Sequence, residues 1–207
     1  MKIIKMKTKI FSVLAAGLMV LSSCSDDENP YVQTTGEIKN YTFLDARAYS
    51  DWVYFSFEQG EIVEVADFQN DLNWDIAFHR GDIRLNGGKS GEGLGEAVNT
   101  YTTDWNAVSA APSSGYVKDE IGIITIAFIG TGVIEEDQPF SQTMSTWLTV
   151  DTTTPPPVYT LNNWIYVLKT ADGKFVKIQI YDNKNETGNA GYVSFKYQYN
   201  TDGGSDF

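Results

Sequence analysis

The stretch Asn70–Val98, reading NDLNWDIAFHRGDIRLNGGKSGEGLGEAV, constrains the fold more than any other part of the chain. It opens as an alternating strand. Trp74, Ile76 and Phe78 share one face and Asp75, Ala77 and His79 the other, the period of two of an extended chain. A short second strand carries Ile83 and Leu85, and a loop with Gly87, Gly88, Gly91, Gly93 and Gly95 follows. Glycine at that density allows positive φ or a close backbone approach. Two readings stand side by side: a hairpin with a flexible loop, and a loop that binds something directly. Nucleotide binding is not among them. Gly88-Lys89-Ser90 imitates the end of a phosphate-binding loop, but that motif needs a glycine where Ile83 sits. Gly91, Gly93 and Gly95 miss the dinucleotide spacing, no long helical pattern follows them, and Glu92 and Glu96 would repel phosphate.

The rest of the chain also reads as strands. Asn40–Leu44 and Trp52–Phe57 are runs of β formers, and Gln59-Gly60 turns into Ile62–Val65. Ile121–Ile129 is nearly continuous apolar sequence, which predicts a strand buried on both faces. Ser145–Val150 alternates less clearly. Trp164–Leu168 and Phe175–Tyr181 flank Asp172-Gly173, a hairpin turn signal, with Val176, Ile178 and Ile180 predicted in the core. Tyr192–Tyr199 puts Val193, Phe195, Tyr197 and Tyr199 on one side. No segment has an amphipathic helical period, and Asp45–Asp51 has room for about one turn. Pro155-Pro156-Pro157 enforces an extended stretch that cannot be a central strand. The expected core includes Trp74, Ile76, Phe78, Ile124, Ile126, Val176, Ile178 and Ile180.

The amino terminus speaks to location. Lys2, Lys5, Lys7 and Lys9 precede an apolar run from Ile10 to Leu21, a signal-peptide layout too short for a membrane span. The run ends in Leu21-Ser22-Ser23-Cys24, similar to a bacterial lipobox, whose cysteine is acylated and becomes the first mature residue. Cys24 is the only cysteine, so lipidation leaves no disulfide and the fold rests on its core. Ser25, Asp26, Asp27 and Glu28 resemble an acidic surface-export tag; a solvated spacer is the plainer reading. The chain thus divides into a signal peptide (1–23), an acidic tether (24–39), one β domain (40–201) and a flexible tail (202–207). Loss of the signal leaves eleven basic residues against 27 acidic ones, a net charge of −16. That charge argues against nucleic acid and against anionic lipid surfaces.

Tryptophan, short strand, Arg84, Asn86 and the glycine loop occur here in an order that resembles the HmuY family of haem-binding surface lipoproteins of anaerobic Bacteroidetes. Trp52–Phe57 with Gly60–Val63, Tyr116, Gly122–Thr125, Trp147-Leu148, Tyr159–Leu161 and Lys177–Tyr199 extend the resemblance over nearly the whole mature chain. It implies an all-β, hand-like domain gripping one haem between two extended loops. It further implies a lipid-anchored protein on the outer membrane, exposed at the cell surface, that passes haem to an outer-membrane transporter. Members are carriers rather than catalysts.

The resemblance also implies axial ligands, a histidine or methionine pair, since haem iron is held strongly by imidazole or soft donors. The two positions fall at or beside Thr131 and Thr152, and threonine is not a usual ligand. Met144 is the only mature methionine and the foremost protein ligand for a metal, with core packing as its alternative. His79 reads as a satisfied structural histidine, and Tyr159 as a packed tyrosine near the second loop that could reach iron. Three functions compete: a haem carrier with altered ligation, a groove for another porphyrin or planar apolar molecule, and a surface module for a protein partner. A ligand-dependent oligomer stays open beside them. One histidine and no free thiol leave little for acid–base or nucleophilic catalysis.

Overall fold

Two antiparallel sheets pack face to face and carry two projecting hairpins. The computed structural model describes residues 36–130, 132–153 and 157–207, all within one contact unit. The chain runs through β1 (Ile38–Asp45), β2 (Val53–Ser56), β3 (Glu61–Val63), β4 (Ile76–His79), β5 (Asp82–Leu85) and β6 (Glu96–Asn99). It continues through β7 (Glu120–Ile129), β8 (Gly132–Phe140), β9 (Leu148–Asp151), β10 (Val158–Leu161), β11 (Ile165–Lys169), β12 (Phe175–Lys184) and β13 (Ala190–Tyr199). One sheet has the order β1-β13-β12-β11-β6, and the other β3-β2-β4-β5. The hairpins are β7-β8 and β9-β10.

The alternating residues of the sequence meet between the sheets. Phe55, Phe57, Ile76 and Phe78 from the smaller sheet and Val176, Ile178, Ile180, Val193 and Phe195 from the larger lie in one buried cluster. Aromatic rings cross the layer at ordinary packing distances, Phe55–Phe195 at 5.3 Å edge-on and Phe78–Phe195 at 5.4 Å stacked. Trp74, Ile124 and the rest of the expected core are buried too, except Ile126, which is half-buried.

Several expectations change. Ile121–Ile129 does form a strand, but it is not buried on both faces: among its isoleucines only Ile124 is in the core, while Ile123 and Ile129 are 65% and 66% exposed. The run leaves the sheets and, among the described residues, pairs as a strand only with β8, with no second sheet laid over it. β8 had no strand signal in its Glu135-Glu136-Asp137 run; it exists because β7 offers it a hydrogen-bonding edge. Asp45–Asp51 makes no helical turn. The tail is not frayed. Phe207 N–H donates to the Ser109 carbonyl at 2.8 Å, Ala111 N–H to that of Ser205 at 2.7 Å, and Asn200 Nδ2 to those of Gly204 and Asp206. The reason is apolar: Phe207 covers Ile165 and Val167 on the outer face of the larger sheet. Cys24 and the signal lie outside the described residues.

Candidate functional site

The site begins at the roots of the two hairpins, and there the glycine-rich motif has its place. Asn86 is fully buried, and its Nδ2 donates to the carbonyls of Asp71 and Trp74, both at 2.9 Å. The loop closes on it. Gly95 N–H donates to the Asn86 carbonyl at 2.7 Å, and a Cβ at Gly93 would sit 2.4 Å from that same oxygen. Gly88 packs so closely on Asp119 that a Cβ would lie 2.4 Å from its carbonyl oxygen. The motif is therefore a compact socket, and the flexible-loop reading gives way to it.

Asp119 ends the segment entering β7. Its Oδ2 accepts from Leu85 N–H at 2.8 Å and from Ser90 Oγ at 2.6 Å. Burial pushes its carboxyl up to about 7, against the opposing pull of those donors and of Arg84. Arg84 fixes the end of β8: Nε donates to the Pro139 carbonyl at 2.9 Å and Nη2 to Gln138 Oε1 at 3.2 Å. Its guanidinium lies between the rings of Trp52 and Phe68, 4.0 and 4.2 Å from their centroids. Burial lowers the pKa of Arg84, and its neighbours Tyr54 and Asp119 oppose that.

The second hairpin is rooted through the segment between the two. Ser141 N–H donates to the Ile83 carbonyl at 2.7 Å, and a 3-10 turn, Met144–Trp147, leads into β9. Three residues per turn bring Met144 and Trp147 to one side, where both are buried. Trp147 Nε1 donates to the Gly81 carbonyl at 2.9 Å, and Asn162 N–H to the Trp147 carbonyl at 3.0 Å.

Between the hairpins lies a cavity of about 330 Å³, at the small end of ligand sites. Ile123 and Phe128 come from β7, Val150 from β9 and Tyr159 from β10; Tyr49, Arg80 and Asp82 line it too, as do Asn183 of β12 and Val193 of β13. Val150 and Tyr159 are direct cross-strand partners and so face the same way. Phe128 meets Tyr49 edge-on at 5.2 Å. The hairpins hold most of the large apolar exposure among the described residues, with Ile121, Phe128, Val133 and Val158 each about half exposed or more.

Of the residues expected at the site, Thr152 and Tyr159 line the cavity. Thr131 lies outside the described residues; the neighbouring Gly130 takes φ 60 at the hairpin tip. Met144 does not line the cavity. It is fully buried in the cluster between the sheets, the packing alternative, and this corrects its reading as a ligand in the groove. His79 is likewise structural: Nε2 is 2.8 Å from the Tyr49 carbonyl, and the ring stacks on Trp52 at 5.1 Å. Pro157 lines one wall, whereas Pro155 and Pro156 lie outside the described residues. Sequence reasoning missed Tyr49, Arg80, Asp82 and Phe128. An apolar run answered by an acidic one could have flagged β7-β8 as a projecting hairpin; nothing local marks the other three.

The apolar walls suit a planar hydrophobic group. The donor set does not suit strong axial ligation, for among the described residues the lining includes no histidine, methionine or cysteine, and its oxygen donors include the hydroxyls of Tyr49, Tyr159, Thr125 and Thr152 and the carboxylate of Asp82. Among the described residues no cluster of three or more His, Cys, Asp or Glu could hold a metal ion, and no helix is long and apolar enough to cross a membrane.

Comparison with known proteins agrees with this architecture. The family described as HmuY protein matches residues 48–197. A Bacteroides vulgatus ATCC 8482 structure described as HmuY-like and heme binding is 26% identical with a TM-score of 0.66, covering 83% of this chain and 97% of that one. A structure from Bacteroides fragilis NCTC 9343, described as a lipoprotein, is 27% identical at a TM-score of 0.64, covering 83% and 92%. The apo HmuY analog of Tannerella forsythia is 26% identical at 0.63, covering 80% and 98%. No curated protein matches the chain.

Proposed function

The chain belongs to the HmuY family of haem-binding proteins, and from that premise we propose that it is a non-enzymatic carrier of haem or a related porphyrin. The ligand lies between the β7-β8 and β9-β10 hairpins. One observation carries the reading: two hairpins with exposed apolar side chains flank a cavity walled by Ile123, Phe128, Val150 and Tyr159. Apolar surface left open in this way gains free energy when a planar hydrophobic molecule covers it.

Ligation in this groove is weak. The lining offers tyrosine oxygens and no imidazole or thioether, so burial supplies most of the affinity. Metal-free protoporphyrin therefore binds nearly as well as haem. Thr152, at or beside one of the ligand positions that the resemblance implies, contributes contact rather than coordination, and Tyr159 is the residue of the expected set in the lining best suited to reach iron.

Titration of the purified protein with haemin and with protoporphyrin, followed by absorption, tests this. The expected outcome is binding of both within about tenfold of each other, without the sharp low-spin bands of two strong axial ligands. If neither binds, the carrier reading falls and the surface-module reading replaces it. A tight bis-ligated spectrum would show that a strong donor enters the groove.

The proposed setting is the outer face of the outer membrane, with Cys24 acylated and the ligand passed to an outer-membrane transporter or held in a ligand-dependent oligomer. The lipobox-like sequence and the Bacteroides fragilis relative described as a lipoprotein support it. Cys24→Ser should release the protein from the membrane fraction or leave it unprocessed, and unchanged attachment would exclude the anchor.

A further inference from the structure

The groove lining holds a cation whose placement is costly. β4 and β5 are joined by Arg80 and Gly81, since His79 pairs with Asp82. In this two-residue turn the left-handed backbone position falls on Arg80, at φ 56, and not on Gly81. Glycine would take that conformation freely, whereas arginine is strained there. Such strain, kept beside a cavity and with a glycine one residue away, marks a position where the side chain has a use.

The surroundings define that use. Arg80 lines the groove, with its guanidinium 4.2 Å from the centroid of the Tyr49 ring, and Tyr49 in turn touches Phe128 of the first hairpin. Nη1 donates to the Arg47 carbonyl at 3.0 Å, which steadies the group without neutralising it. None of the ion pairs among the described residues involves Arg80. The nearby acid, Asp82, also lines the groove, and its carboxylate lies 3.5 Å from His79 Nδ1. The Arg80 guanidinium, stacked on an aromatic ring, therefore stands among the described residues without a carboxylate partner in the lining of an apolar cleft. Its fork geometry matches a carboxylate.

We propose that Arg80 is the anion anchor of the groove: the ligand is a planar apolar molecule bearing at least one carboxylate, which docks on the Arg80 guanidinium. The proposal rests on the porphyrin-carrier reading and adds to it a chemical requirement and an orientation. The carboxylate edge of the ligand points toward the β4-β5 turn and its apolar body lies between the hairpins.

Haemin and haemin dimethyl ester share the apolar macrocycle and differ in their free carboxylates, so titrating the purified protein with each separates the anchor from the groove. The unmodified protein should bind haemin about tenfold or more tighter than the diester. Arg80→Gln should remove that preference by weakening haemin alone, and Arg80→Lys should restore part of it. Arg80→Gly suits the backbone at φ 56; it should unfold cooperatively on heating, as the parent does, and still lose the preference. If haemin and the diester bind the parent equally, or if Arg80→Gln keeps the preference, the anchor is excluded while the carrier reading stands. If neither compound binds the parent, the carrier reading fails and the anchor fails with it.

Discussion

The sheets and the hairpins use apolar side chains in opposite ways. Between the sheets, Phe55, Phe57, Phe78 and Phe195 are fully buried and satisfy one another. On the hairpins, Phe128 is 59% and Ile129 66% exposed, and their strands have partners only along one edge. The sheet region is thus complete by itself, while the hairpins present apolar surface that none of the described residues covers. Polar chemistry divides the same way. The buried Arg84 and Asp119 spend their hydrogen bonds holding the root of the first hairpin and Asn86 spends its own on the glycine loop and Trp74, whereas Arg80, at the groove, takes part in no ion pair among the described residues. On the proposed reading, hairpins held by hydrogen bonds at their roots stand apart before a ligand arrives, which reduces the ordering cost of binding.

The sharpest challenge to this division is Met144→Ala. Met144 belongs to the sheet region, so its loss should destabilise the fold by about 2–5 kcal/mol in denaturant unfolding. It should leave the absorption spectrum of bound haemin unchanged; an altered spectrum with little stability loss would move Met144 into the groove. Gly93→Ala comes next. Its Cβ would meet backbone atoms of Asn86 and Ala171 at 2.4 and 2.9 Å, so the socket must shift, at about 1–3 kcal/mol. A neutral result would mean that the socket is looser than its hydrogen bonds require.

A pH dependence sharpens the same contrast, because the strongly raised carboxyls sit in the buried frame. Asp119 is pushed up to about 7 and Asp75 to about 6, in both cases chiefly by burial. The folded state therefore binds more protons than the unfolded chain between the ordinary carboxyl range near 4 and those values. Their contribution to stability is full below about pH 4, falls as pH rises, and levels off above about 7. Unfolding midpoints should accordingly be higher at pH 5 than at pH 7.5, and Asp119→Asn should flatten that slope. An unchanged slope in the variant would remove Asp119 as its source. The smallest stability effect belongs to Phe128→Ala, within about 0.5 kcal/mol, since the ring is mostly exposed. Its effect should appear in weaker porphyrin binding, and a stability loss as large as that of Met144→Ala would erase the distinction between the regions.

Periodicity alone made the sheet core legible. Val176, Ile178 and Ile180, and Val193, Phe195, Tyr197 and Tyr199, are buried as their alternation requires, because a strand sends every second side chain to one face. The resemblance carried by Trp74, Arg84, Asn86 and the glycine loop pointed to the family, since so specific an order of residues reflects a specific packed unit. What the glycines do was not legible. Close approach to Asn86 and Asp119 and a flexible binding loop demand the same residue type, and only the folded contacts separate them. The buried reading of Ile121–Ile129 failed for a similar reason: an apolar run records that water is to be excluded, not whether protein or ligand will exclude it.

By itself, then, the sequence determined an all-β domain and its core strands, and its resemblance to the family supplied a short list of groove candidates, Met144, Thr131, Thr152 and Tyr159, with His79 set apart as structural. Whether those candidates meet was decided by tertiary structure. A 3-10 turn rotates Met144 into the core, the Tyr49 carbonyl holds His79, and the β4-β5 turn brings Arg80 to the cavity that Phe128 and Tyr159 line from separate hairpins. Local pattern specifies which face of an element is apolar. Which elements face one another across open space follows from the crossing of the sheets and the rooting of the hairpins, interactions between residues far apart in the chain.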